Sequence, residues 1–319
     1  MALPRMLTPG ATYLVTRRCL ERRFRLRPEQ AVTDLLDYLI GYAALQAGVE
    51  VICFVALSNH WHALIFDPDA RLSVFVERLD SLSARALNVL HSQVGSVWEP
   101  GSYSAVKLET PGEIVEKIAY CLANPVKAGL VATPEAWPGL ITHVGTLGRG
   151  MRPAKRPGFF FRQDGEERRQ GEDDQRPRGW SDAPLPGAVV WELALPAGFD
   201  DADELQRQVR VALEEKLARI HANRRRDGKR SFLGAKTVLA QPILETPAST
   251  EKLFRLNPRL AFRDWTRRAQ ACSGWLAFQF TYRAALADYR DGDHEVVFPF
   301  GTYRMRVQFG VRCSSGAGA

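Results

Sequence analysis

His60 and His62 flank Trp61 in the stretch "VICFVALSNHWHALIFDP", where one apolar run breaks at Ser58-Asn59 and a second opens on the histidines. If the second run is a strand, its side chains alternate and both imidazoles project from one face, with Trp61 directed to the other. Two adjacent neutral imidazoles make half of a site for a divalent transition metal and can tolerate magnesium or manganese. On its own an H-x-H pair is as often structural as ligating.

A second candidate lies in "PGEIVEKIAYCLANPVKAGLV", Pro111 to Val131. On a helical wheel of about 100° per residue, Ile114, Ile118, Cys121 and Leu122 fall on one side. Glu113, Glu116, Lys117 and Asn124 lie on the other, around Tyr120. The tyrosine therefore stands in the polar stripe. Its plain reading is a half-buried surface residue; its chemical reading is a hydroxyl displayed among groups that bind a metal or a phosphate. An unperturbed tyrosine, with a pKa near 10, needs a metal or a base before it attacks. Asn124 shares its face one turn on, and Pro125 disfavours helical geometry there, so Asn124 is expected to cap the helix. Glu116, one turn earlier, is the alternative ligand or proton acceptor.

The elements that would position these groups alternate along the first 145 or so residues. Ala11–Cys19 is expected as a strand, Pro28–Ala47 as a helix, and Glu50–Leu57 with His60–Phe66 as a hairpin. A helix over Leu72–His91, a short strand over Tyr103–Leu108 and the tyrosine helix follow. The order β-α-β-β-α-β-α suits an α+β fold, a ferredoxin-like antiparallel sheet with helices on one side, followed by a C-terminal α+β extension. The boundaries read as a domain over 1–147, a charged linker over 148–190 around "RQDGEERRQGEDDQRPRG", and an accessory unit over 191–319. That unit is expected to carry a helix over Asp201–Arg226, another over Arg263–Arg290, and a terminal hairpin in "EVVFPFGTYRMRVQFGVRC".

Of 319 residues, 45% are hydrophobic and 25% charged, enough for a real core, and the net charge is +7 with a pI near 9.3. That balance is a mild pull towards polyanions such as nucleic acid. The five cysteines are far apart with no CxxC, which argues against a cysteine zinc site and for reduced thiols. With no signal-like N-terminus and no apolar run near 20 residues, a cytoplasmic, nucleoid-associated protein is expected. Arg17, Arg18, Arg22, Arg23, Arg25 and Arg27 follow or end the first strand, and Arg224, Arg225 and Arg226 end a later helix in "NRRRDGKR". Each cluster, with Lys117, is a candidate DNA-backbone surface or a solvated face. Trp61 and Trp98 are candidates to stack on bases, although the direction of Trp61 favours the core. His91, His143, His221 and His294 have no partner by spacing.

"SNHWHALI", "VWEPGSYSAV" and "YCLANPVKAGLV", in that order and spacing, resemble the single-tyrosine transposases of the HUH endonucleases, and among them the REP-associated tyrosine transposase branch. The resemblance covers about residues 10–145. It implies that Tyr120 is the nucleophile and that His60 and His62 hold Mg²⁺ or Mn²⁺. It places Asn124 where related transposases carry a further helix-borne ligand, often glutamine. It further implies single-stranded DNA or DNA hairpins as partner, and cleavage and rejoining through a 5′-phosphotyrosine with a free 3′-OH. The alternative is a catalytically silent reader of DNA hairpins on the same fold. Monomer and homodimer stay open.

Overall fold

The computed structural model describes residues 5–100, 103–159, 185–229, 231–248 and 265–315. Four strands, β1 (Ala11–Arg18), β2 (Glu50–Leu57), β3 (His60–Asp67) and β4 (Ser104–Leu108), form an antiparallel sheet of order β2-β3-β1-β4. The two-residue Ser58-Asn59 turn forces β2 and β3 into a hairpin, as expected. The fold is α+β, and strand parity decides what each face packs against.

Tyr13, Val15, Phe54, Trp61, Ala63 and Ile65 point to one face. There they meet α1 (Gln30–Ala47) and α2 (Leu72–Leu90), whose apolar positions recur at helical spacing. Trp61 is fully buried and stacks on Phe54 at 5.5 Å between centroids. It is core, as its direction implied. Leu14, Val55, Leu57, Leu64, Val106 and Leu108 point to the opposite face. The expectation of helices on one side describes α1 and α2; α3 (Pro111–Leu122) covers the other face through Ile114, Ile118 and Leu122.

A capping box starts α3: Thr110 Oγ1 accepts from Glu113 N, and the Glu113 carboxylate accepts from Thr110 N, with Pro111 in the first turn. Its end differs from the expected cap. Ala123 stays in the right-handed region, and Asn124–Lys127 form a short helix α4 with Pro125 in its first turn. Proline at that position needs no N–H, so the chain bends with little loss of hydrogen bonding.

The residues read as a linker are ordered at both ends. β5 (Met151–Lys155) pairs with β6 (Ala188–Glu192), and the ladder docks on α1. Gly41 permits this: a Cβ there would meet the Trp191 ring at 2.3 Å. Arg152 donates to Asp37 at 3.0 Å, and Tyr38 Oη to Pro186 O at 2.7 Å. The central part of that charged segment, 160–184, lies outside the described residues.

The core likewise continues past residue 147. Asp201 caps α5 (Ala202–Arg226), and its Leu205, Val209 and Leu213 join the α3 cluster, so this helix belongs to the sheet's second layer. A short α6 (Ala235–Ala240) follows. Further on, α7 (Trp265–Arg290) and α8 (Arg304–Phe309) share a small core of Ala285, Phe298, Met305 and Val311. The expected terminal hairpin is replaced by α8, which Gly310 ends in the left-handed conformation at φ +65°. No described helix is long and apolar enough to cross a membrane. All five cysteines are free; Cys19, Cys53 and Cys121 are buried.

Candidate active site

Register places the two histidines. His60 stands opposite Arg18 and Leu57, and His62 opposite Thr16 and Val55, so both imidazoles emerge on the α3 face. Their ring centroids are 4.8 Å apart, and the Tyr120 ring lies 5.4 Å from that of His62. The strand pair and the helix residue therefore meet in space. They share a cleft of about 500 Å³ with Thr16, Arg18, Arg22, Asn59, Asn124 and Lys127.

Each imidazole is held through Nδ1. Asn59 Oδ1 lies 2.6 Å from His60 Nδ1, and Thr16 Oγ1 lies 2.7 Å from His62 Nδ1. An amide oxygen only accepts, so His60 Nδ1 carries the proton and its Nε2 keeps a lone pair. The Thr16 hydroxyl can donate or accept, so it admits the same tautomer at His62, which would leave Nε2 basic. That Nε2 is buried with no hydrogen-bond partner. Burial, with Arg18 and Arg22 close by, lowers the His60 pKa to about 4. Burial, then His60, Arg18 and Lys127, hold His62 well below the ordinary histidine value. Both rings are thus neutral near pH 7, the form a metal takes.

Three buried polar atoms without a partner belong to residues lining this one cleft: His62 Nε2, Ser58 Oγ and Gln241 Oε1. Each such atom costs roughly 1–3 kcal/mol when left unpaired. Their concentration here fits a polar ligand. The donor set also suits a hard or borderline divalent cation: imidazole nitrogens and carboxamide oxygens. Among the described residues no group of three His, Cys, Asp or Glu side chains surrounds it.

The remaining candidates divide. Asn124 is 7% exposed and lines the cleft. Glu116 does not: it faces Lys216 of α5 at 3.9 Å, and Lys117 is likewise absent from the cleft wall. Arg18 and Arg22 line the cleft, and Arg22 holds φ +58°, a left-handed geometry costly for a residue with a Cβ. Arg17 turns away, buried against Asp80 at 2.6 Å. Arg25 is buried on Asn88 Oδ1, Arg27 is paired with Glu29, and Arg23 with Glu21. Arg224 packs over Phe232, while Arg225 and Arg226 are exposed at the end of α5, away from the cleft. Trp98 is buried, donating to Asp80 O, and is not a stacking platform. His91 has a structural partner, Glu29, at 2.7 Å.

Thr16, Lys127 and Gln241 are site residues that the motifs did not single out. Lys127 Nζ lies 5.2 Å from the Tyr120 ring centroid. Its position seven residues after the tyrosine, two turns on the same face, was the available signal.

Fold and site together define an α+β protein whose antiparallel sheet presents two histidines to a helix-borne tyrosine in a cationic cleft. No family model matches the sequence, and no curated protein does. Solved structures that are similar in part include two. One, described as a REP-associated tyrosine transposase bound to a REP hairpin, has 19% identity over 42% of this chain and 78% of its own, with a TM-score of 0.35. The other, a candidate transposase from Deinococcus radiodurans R1, has 22% identity over 34% of this chain and 86% of its own, with a TM-score of 0.27.

Proposed function

We propose that this chain is a transposase-type DNA transesterase that cleaves and rejoins single-stranded DNA at or near hairpins. The observation that carries the reading is the convergence of His60, His62 and Tyr120 in one cleft rimmed by Arg18, Arg22 and Lys127. In the reaction, the Tyr120 oxygen attacks the scissile phosphorus and loses its proton. The P–O3′ bond breaks and the leaving 3′-oxygen takes a proton. The phosphotyrosine conserves the bond, so a strand 3′-OH can reverse the step without an external energy source. Lys127, beside the Tyr120 ring, and Arg18 and Arg22 supply positive charge where negative charge develops.

Mg²⁺ or Mn²⁺ is the proposed cofactor, held by His60 and His62 through Nε2, with Asn124 as a further oxygen donor. When bound, it would polarise the non-bridging phosphate oxygens. Asn59 and Thr16 fix which imidazole nitrogen faces the cleft. His62→Ala is expected to abolish Mn²⁺ binding measured by calorimetry or electron paramagnetic resonance. Thr16→Val, which keeps the shape and removes the acceptor, should weaken it about 10–100-fold. Unchanged Mn²⁺ affinity in both variants would remove the metal from this site.

The reading is tested by incubating the protein with a single-stranded DNA hairpin bearing flanking sequence and Mg²⁺ or Mn²⁺, then resolving it under denaturing conditions. A metal-dependent covalent adduct is expected. Binding without any adduct across a panel of hairpins would instead make the chain a silent hairpin reader.

A further inference from the structure

The chain beyond α5 returns to the cleft. Arg224 sits against Gly129, where a Cβ would lie 2.6 Å from its Nη1, and its guanidinium stacks 4.3 Å over Phe232 while donating to Ser231 O. Leu233 N then donates to Gly129 O at 3.0 Å and Gly234 N to Leu130 O at 2.8 Å, just past the tyrosine helix. Val238 of α6 is fully buried in the core beneath α3. Beyond it, Arg27 Nη1 donates to Gln241 O at 3.1 Å, and Phe24 N donates to Glu245 O at 3.0 Å, on the loop beside the histidines. One segment thus ties the tyrosine wall to the histidine wall and lines the cleft with Gln241, Pro247 and Ala248.

Gln241 brings chemistry to that wall. Its backbone carbonyl is anchored by Arg27, yet its side-chain Oε1 is buried without a donor. A phosphate oxygen cannot satisfy it, because both are acceptors. An N–H on a base edge can, and the amide NH₂ beside it donates to a neighbouring ring nitrogen or carbonyl. With Oε1 as the unpartnered end, the carboxamide sets an acceptor beside a donor, a pair that a base edge complements and a phosphate does not. Single-stranded DNA exposes such edges, whereas a duplex occupies its Watson–Crick edges.

We infer that residues 232–248 form the third wall of the DNA cleft and that Gln241 reads one base edge of the bound strand. This assignment rests on the proposed function and adds to it a source of sequence preference outside the histidine and tyrosine motifs. It also makes the C-terminal extension part of the site.

The test uses the full-length chain carrying Tyr120→Phe, so that binding is read without cleavage, and a randomised single-stranded oligonucleotide pool. The parent is expected to enrich a motif. Adding Gln241→Ala should leave the melting temperature unchanged, erase the preference at one nucleotide, and weaken binding of the selected oligonucleotide about tenfold. Gln241→Glu, which keeps the acceptors and removes the donor, should shift that preference rather than erase it. An unchanged motif and affinity in Gln241→Ala would overturn the assignment alone. So would tighter binding, with faster adduct formation when Tyr120 is restored, since that marks a lid and not a wall. A parent that binds no single-stranded DNA would overturn the proposed function together with it.

Discussion

Tyr120→Phe is expected to abolish the covalent protein–DNA adduct and leave the fold and single-stranded DNA binding within a few-fold of the parent. The substitution removes one oxygen. The ring, half-buried on the α3 core and edge-on to His62 at 5.4 Å, keeps its packing, and Lys127 keeps an aromatic face beside it. Loss of a general acid or base typically lowers a rate by 10²–10⁴ and leaves a residue of activity. Loss of the nucleophile leaves no atom to form the phosphodiester, so the adduct should vanish instead of diminishing. Denaturing electrophoresis with a labelled oligonucleotide reads the adduct, and anisotropy with the same oligonucleotide reads binding. An adduct that persists in Tyr120→Phe would eliminate Tyr120 as nucleophile and turn attention to Ser58, whose unpartnered Oγ belongs to the same cleft.

The half of the site that could be read in the sequence is the half governed by local periodicity. Strand alternation put His60 and His62 on one face and Trp61 on the other. The helical wheel put Tyr120 opposite Ile118 and Leu122. Thr16 could not be found that way, because its role comes from the β1–β3 register, across 46 positions of sequence. Gln241 lies farther still, on a segment whose path is set by hydrogen bonds to Gly129, Leu130, Phe24 and Arg27. Glu116 was misplaced because a wheel cannot show a neighbour that arrives later in the chain: α5 packs along α3 and brings Lys216 to it. The same blindness set the domain boundary at residue 147, where charge composition changes, although the core runs on into Leu205, Val209 and Leu213. In the terminal segment, alternating residues such as Met305 and Val307 fit a strand as well as a single helical turn. Burial of Met305 against the Phe298 cluster selects the helix. The arginines hold the sharper lesson. Alternation along β1 already separates Arg17 from Arg18: Arg17 stands opposite Trp61, on the α1–α2 face, and Arg18 opposite His60, on the cleft face.

That separation makes Arg17→Ala a stability variant and not a DNA-binding one. The Arg17 side chain is about 10% exposed; its Nε meets Asp80 at 2.6 Å, and its Nη1 donates to Glu99 O at 2.9 Å. Removing it leaves Asp80 buried without its hydrogen-bonded cation, with only the weaker influence of Arg5 remaining, and breaking a buried pair from one side typically costs about 3–5 kcal/mol. Burial already pushes the Asp80 carboxyl up to about 6, with Arg17 pulling it back. A folded-state pKa above the unfolded value near 3.9 means that the native state binds the proton preferentially, so stability falls as pH rises through that window. Without Arg17 the window extends upward. The deficit in Arg17→Ala should therefore be largest near pH 8 and shrink on acidification toward pH 5, measured by denaturant unfolding against the parent. Replacing both partners, Arg17→Met with Asp80→Leu, should recover most of the loss, because no charge is left buried. For DNA, the salt dependence of binding should be unchanged in Arg17→Ala, while Arg22→Ala, at the cleft, should lose about one phosphate contact from the slope. A reduced salt slope with unchanged unfolding in Arg17→Ala would reverse this assignment and return Arg17 to the DNA surface.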